Sequence, residues 1–242
     1  MATAENQGET SVNNKERILE TLAGGTADRV PVAPFVQEEF LSYVYPSRDK
    51  VDRVYDAAEL ARQYDFDLMA RHKKYEKPDF LKKSYPSWEV TTGEIRQDSR
   101  VFRMTEIATP SRTMAGVEAG PDRGAATSGI HFATIDYILK DRGDIEAFVK
   151  CLPGIDGALI DDMHATVADW DKAIGDIGIA VPWGWGGVYN HASELRNVEL
   201  LMMDAYMEPD LYQALMSRIA SAQAEFNVAL VRAGIKCIGL QG

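Results

Sequence analysis

The sequence predicts an α/β fold in which helices cover a mainly parallel sheet. Three observations lead there. Short β-rich apolar runs alternate with helical patterns along most of the chain, the order that lays helices over a parallel sheet. Residues 74–136 change texture to strict apolar–polar alternation broken by turn residues, which predicts antiparallel hairpins inserted into the βα series. The last apolar run, "GIKCIGL", reads as a strand followed only by "QG". A parallel strand buried on both faces ordinarily feeds another helix. About four or five βα strands are legible where a closed barrel has eight. The chain is therefore expected to be a piece of a larger α/β unit, poorly stable alone or self-associating.

Each element has its own local reason. Residues 1–12 are polar and read as a disordered lead. "NNKERILETLAGG" predicts a helix: Asn13 with Glu16 makes a capping box, and Gly24–Gly25 end it. "DRVPVAPFV" reads as a strand over 30–36, although two prolines are atypical of a central strand. A helix over 51–64 places Val54, Ala58 and Ala61 on one face, and a strand over 66–71 follows. Hairpins are expected between about 87 and 118. "DRGDIEAFVKCL" predicts a short helix. "DGALIDDMHATVADWDKAIGD" predicts a strongly amphipathic one, with Leu159, Met163, Val167, Trp170 and Ile174 on its stripe. A strand over 177–182 leads to helices over 191–206 and 209–233. The second has Pro209 at its first position and a stripe of Leu211, Leu215, Ile219, Ala222, Phe226, Leu230 and Ala233. The Met202–Met203 pair reads as core. A final strand is expected over 235–240, with Cys237 buried in it.

Composition narrows the function classes. The 242 residues are 45% apolar and 26% charged, enough for a sizeable core. The net charge of −11 repels phosphate backbones and argues against nucleic acid. No apolar run is long enough to span a bilayer, and the N-terminal residues lack a signal-peptide core, so a cytoplasmic location is expected. Cys151 and Cys237 form no CxxC pair. His72, His131, His164 and His191 form no local metal-binding pattern, so no metal site is readable within the chain.

Several segments together resemble the uroporphyrinogen decarboxylase superfamily. "NNKERILETLAGGTADRVPVAPF" looks like its opening helix, small-residue turn and D-R-V-P-V. "TEIATPSRTMAG" and "HFATIDYILKDRGDIEAFVK" are similar to its TP-x-G hairpin and K-D-x-x-D-x-E helix start. "AVPWGWGGVYNHASELRNVELLMMDAYMEPDLYQALMSRI" resembles its Gly/Pro-rich strand end, Leu-Leu helix and D-P-x-L. The resemblance covers residues 13–242 and implies a (β/α)8 TIM barrel, here incomplete at about its first five βα units, with the hairpins at 74–136 as an insertion. Family members are decarboxylases of porphyrinogens, or methyltransferases moving a methyl group between a corrinoid and a thiol or other acceptor.

Two departures point to the methyltransferase-like branch. The decarboxylases' arginine-rich stretch after the first strand reads "PFVQEEF" here. A substrate of many carboxylates wants arginine forks, and Glu38 with Glu39 would repel it. The decarboxylase aspartate after the second strand is replaced by "MARHKKYE". The resemblance thus implies corrinoid-dependent methyl transfer to a zinc-activated acceptor. It implies a His-x-Cys and a later Cys as zinc ligands beyond residue 242, and a small-molecule substrate with a corrinoid protein as partner. A tetrapyrrole lyase and a non-catalytic small-ligand-binding protein remain the alternatives.

Sites in such barrels gather where strands end. That rule selects Gln37, Glu38 and Glu39, Arg71 and His72, the stretch 182–191, and Gln241. Tyr189, Glu38 and His72 are the candidates for chemistry. Tyr189 lies one residue out of step with a tyrosine in the family pattern P-W-T-L-x-x-Y. Gln37, Glu39, Arg71, Trp183, Trp185 and His191 are candidates for substrate binding. Glycines 184, 186 and 187 let backbone approach a ligand, and the indoles supply flat walls with one N–H each. The same residues could instead form an aromatic plug. Glu38 and Glu39 could simply start a helix, and His191 could be a polar residue near a helix N-terminus. His131 and His164 are weaker candidates, His164 being expected on an outer surface.

Overall fold

The computed structural model describes residues 12–75, 79–122, 132–184 and 187–239. The rest of the anticipated lead, the loop over 123–130, His131, Trp185 and Gln241 lie outside the described residues. The chain order is α1 (Asn14–Leu22), α2 (Glu38–Val44), α3 (Tyr55–Tyr64), β1 (Leu68–His72), β2 (Glu89–Gln97), β3 (Arg100–Ala108), β4 (Thr113–Pro121) and β5 (Ala133–Asp136). Then come α4 (Arg142–Cys151), α5 (Gly157–Ile174), β6 (Gly178–Pro182), α6 (Val188–Leu195), α7 (Val198–Met207) and α8 (Pro209–Arg232). The fold is mixed α/β, and among the described residues the sheets do not close into a barrel. The chain forms two compact units. One comprises the residues up to Arg71 with Val167–Val181, the other His72–Thr166 with the residues from Pro182 onward.

The first unit is built on α1, α2, α3, the end of α5 and the β1–β6 pair. The capping box at Asn13 forms: its side chain accepts from Glu16 N (2.8 Å), and Glu16 accepts from Asn13 N (3.0 Å). The stripe of α5 is buried as expected, and Lys15 pairs with Asp171 at 2.7 Å to hold α1 beside that helix. β6 runs parallel to β1: Gly178 sits against Leu68, and five residues on the Trp183 N–H bonds the His72 carbonyl at 2.9 Å. Contact at Gly178 is so close that an added Cβ would lie 1.9 Å from the Leu68 carbonyl oxygen. Because that neighbour is backbone, Gly178→Ala must push the strands apart. It is expected to cost about 1–3 kcal/mol, read as a lowered unfolding midpoint.

The expected strand over 30–36 is not one. Val32 O accepts a single bond from Asp67 N (3.0 Å), and Val30 and Val32 are exposed. Pro31 and Pro34 bring no N–H, so the segment forms no ladder. Side chains hold it instead. Asp67 is fully buried and accepts from Arg17 Nη1 (2.7 Å), Arg29 Nη1 (2.6 Å) and Val32 N (2.7 Å). Arg17 also donates to both oxygens of Asp28, at 2.6 and 2.8 Å. The "DRVPV" stretch is thus an electrostatic clasp between α1 and β1.

The second unit carries the antiparallel sheet, ordered β2-β3-β4-β5, so the inserted hairpins extend to residue 136. β2 and β3 join through Asp98 and Ser99, both at positive φ (51° and 60°), as a two-residue hairpin requires. The core centres on Trp88, set edge-on against Phe80 and Phe148 with ring centroids 6.0 and 5.7 Å away. Arg112, in the "TPSR" turn, pairs with both Asp141 and Asp144, the two residues of the capping box that opens α4. α8 begins with Pro209 and buries its predicted stripe, with Ala233 half-buried.

Five further expectations differ from the structure. The helix over 191–206 is two helices, because Arg196 turns extended and Asn197 caps α7. The buried Arg196 fork on Asp204 fixes that break. The strand over 235–240 reduces to one parallel bridge, Gly239 with Trp183, and Cys237 is only half-buried. The helix over 51–64 starts at Tyr55. Met202 and Met203 are not core: they are 56% and 57% exposed.

Candidate functional site

In the first unit, Gln37 caps α2 without a side-chain bond, and Glu38 with Glu39 occupies the helix's first turn, where acids suit the dipole. Glu38 Oε1 accepts from Nε of the buried Arg53 at 2.9 Å, so an ion pair engages its carboxylate. Gln37 and Glu39 are exposed. Next to them Pro34, Phe35, Phe40, Leu60, Tyr64 and Phe66 line an almost wholly apolar groove of about 440 Å3. The Arg71 guanidinium stands over the Phe35 ring, 4.8 Å from its centroid. These residues therefore combine an apolar floor with charges of both signs.

In the second unit, backbone bonds gather three chain segments. Trp183 N donates to His72 O, Gly184 N to Gly239 O (3.0 Å), and Gly239 N to Pro182 O (3.0 Å). The Trp183 ring lies on Gly239, whose added Cβ would come 3.3 Å from its Cε3. His72 and Trp183 are thus brought together. His72 Nδ1 accepts from Lys74 N at 2.9 Å, so a neutral ring carries its proton on Nε2. Tyr189, in the first turn of α6, is 40% exposed, whereas His191 is buried on that helix. His164 is exposed on α5, as expected.

Sequence reasoning missed a larger basin in the same unit, about 680 Å3, on one face of the antiparallel sheet. Pairing sets Arg103 between Glu94 and Glu118, and Thr105 between Thr92 and Gly116. Arg103 Nε donates to Glu94 (3.3 Å), and its guanidinium covers the Phe132 ring at 3.8 Å. Lys82 and Glu194 stand at the basin's edge. Strand alternation could have put Glu94, Arg103 and Glu118 on one face, but no local signal brings Glu194 of α6 to it. No three His, Cys, Asp or Glu side chains converge on a metal site among the described residues. No helix among them is long and apolar enough to cross a membrane.

No family model matches the chain, and no curated protein matches it. Among solved structures it is similar to a methyltransferase from Methanosarcina mazei, with a TM-score of 0.55 and 16% identity. The match covers 94% of this chain and 58% of that one, so the chain spans little more than half the length of the solved methyltransferase. At this identity the likeness establishes the fold: the chain shares the α/β fold of that methyltransferase.

Proposed function

We propose that the chain belongs to the uroporphyrinogen decarboxylase superfamily and carries part of a methyl-transfer site on an incomplete barrel of that type. The observation that supports it most is the fold shared with a methyltransferase over nearly the whole chain, together with the order of the motifs quoted above. Methyl transfer needs an apolar, water-poor slot for the methyl group and a group that exchanges a proton with the substrate: taking it from a thiol that accepts the methyl, or giving it to an oxygen that loses one. Trp183 and Trp185 are proposed as the slot's walls. His72 and Tyr189 are proposed as the groups that exchange this proton. In the second unit His191 is proposed to orient the substrate; in the first, Gln37, Glu39 and Arg71 are proposed as a substrate-binding patch and Glu38, held by Arg53, as a candidate for chemistry. A corrinoid as methyl carrier, brought by a corrinoid protein, and zinc as activator of a thiol acceptor belong to the same proposal. The resemblance carries them, not the described residues. Acidic side chains at 38 and 39 disfavour the tetrapyrrole polycarboxylate alternative.

The test uses the full-length protein that carries this chain, with methylcobalamin and a small thiol as probes and demethylation followed by absorbance. Catalysed demethylation above the thiol-only rate is expected, together with quenching of tryptophan fluorescence on cobalamin binding. Trp183→Ala and Tyr189→Phe should lower the rate about tenfold or more, with unfolding midpoints close to wild type. Absence of both binding and turnover of the probe would refute the proposal. Variants that lose stability but keep probe affinity would assign the segment to an aromatic plug.

A further inference from the structure

The stretch "HKKY", residues 72–75, leaves the end of β1 and is tied to α5 by two consecutive side chains. Asp162 and Thr166 stand one turn apart on that helix, so they share a side of it. Lys74 Nζ donates to Asp162 Oδ1 at 2.9 Å and to Thr166 Oγ1 at 2.5 Å. The Tyr75 hydroxyl donates to Asp162 Oδ2 at 3.0 Å. The two oxygens of one carboxylate thus hold neighbouring residues. Tyr75 is itself buried, edge-on to Phe226 of α8 with ring centroids 6.1 Å apart. Between these anchors and β1, the Lys74 N–H reaches back to His72 Nδ1. The His72 carbonyl is fixed separately, by the Trp183 N–H.

We infer that Asp162 is a positioning residue for His72: it holds Lys74 so that the backbone N–H occupies Nδ1 and the ring presents Nε2–H. The use made of His72 rests on the function proposed above, whereas the setting of its ring does not. Which nitrogen of a neutral imidazole carries the proton is set by the bond that the other nitrogen makes. Here that bond comes from an amide only two residues on, so it lasts while the turn keeps its shape. The Lys74 and Asp162 side chains are 37% and 48% exposed, and such a pair adds little to stability. Its effect is on orientation. With one anchor at Lys74 Nζ and a second at the Tyr75 hydroxyl, the Lys74 amide between β1 and these contacts has little room to turn away from the ring.

Nitrogen NMR of the full-length protein that carries this chain, labelled at its histidines and lysines and read without substrate, tests this. Wild type is expected to show the His72 proton on Nε2 alone and a Lys74 amide protected from exchange. In Asp162→Ala the proton should be shared between the ring nitrogens, and the amide should exchange about tenfold faster or more. Lys74→Ala keeps the backbone N–H but loses the ammonium that Asp162 and Thr166 hold, so it should show the same ring signal. Asp162→Asn keeps an oxygen for Lys74 and should bring both readouts back close to wild type. Lys15→Ala cuts a different ion pair of α5, with Asp171, and should leave them unchanged. A His72 ring and Lys74 amide that do not respond to Asp162→Ala would overturn the inference. So would a wild-type ring protonated on Nδ1, or an equal response to Lys15→Ala. Neither readout involves substrate, so failure here and failure of methyl transfer are separate results.

Discussion

Asp67→Asn is expected to destabilise the protein by about 3–5 kcal/mol, the range for removing one partner from a buried ion pair. The carboxylate is fully buried and takes bonds from two arginines and the Val32 N–H. Asparagine keeps the shape but turns an amide toward a buried cation, Arg17. Burial pushes the Asp67 carboxyl upward, but the Val32 N–H, Arg17 and Arg29 outweigh it and hold it below its ordinary value. Arg17, first, and then the backbone N–H of Arg29 hold Asp28 low as well. With the folded value below the unfolded one, this stabilisation is complete above the ordinary carboxylate range. It is lost as pH falls below about 4 and through the folded value. Urea unfolding should therefore show a large gap between wild type and variant at neutral pH, closing in acid. A gap that does not depend on pH would refute the role given to the charge.

Trp88→Ala should cost about 3–5 kcal/mol, as large aromatic truncations in a core do. Trp88 is fully buried, packs edge-on against Phe80 and Phe148, and donates its Nε1–H to the Phe80 carbonyl at 2.7 Å. One side chain thus ties the chain before β2 to α4. Trp88→Phe keeps much of the volume and loses the N–H, so it should fall well short of the alanine cost, with about 1 kcal/mol for the bond. Denaturant curves followed by far-ultraviolet circular dichroism compare the two. An alanine variant within 1 kcal/mol of wild type would contradict the packing described (about a third of the expected cost).

The residues that carry the family resemblance turn out to hold the fold. Of "DRVPV", Asp28 accepts from Arg17 and Arg29 donates to Asp67, Arg112 of the hairpin turn meets Asp141 and Asp144, and Arg196 forks onto Asp204. The spacing of these segments is legible in one dimension. Their pairing is not, because each pair joins residues brought together by chain reversal.

The sequence by itself determined the helices whose evidence is local. The capping box of α1, the stripe of α5, Pro209 and the long stripe of α8 need nothing beyond neighbours within two turns. The inserted hairpins were legible for the same reason, since alternation and turn residues are local too. Tertiary structure decided everything that depends on a partner. Residues 30–36 and 235–240 have strand-like patterns, but a strand exists only where a second chain segment accepts and donates in register. There the prolines and a single bridge leave no ladder. Likewise an all-apolar helix such as α7 has no polar face to indicate its outside, so only packing against α6 and α8 settled that Leu201 points in and Met202 and Met203 point out. The basin beside Glu194 arose the same way, from residues far apart in sequence that the fold sets on one sheet face.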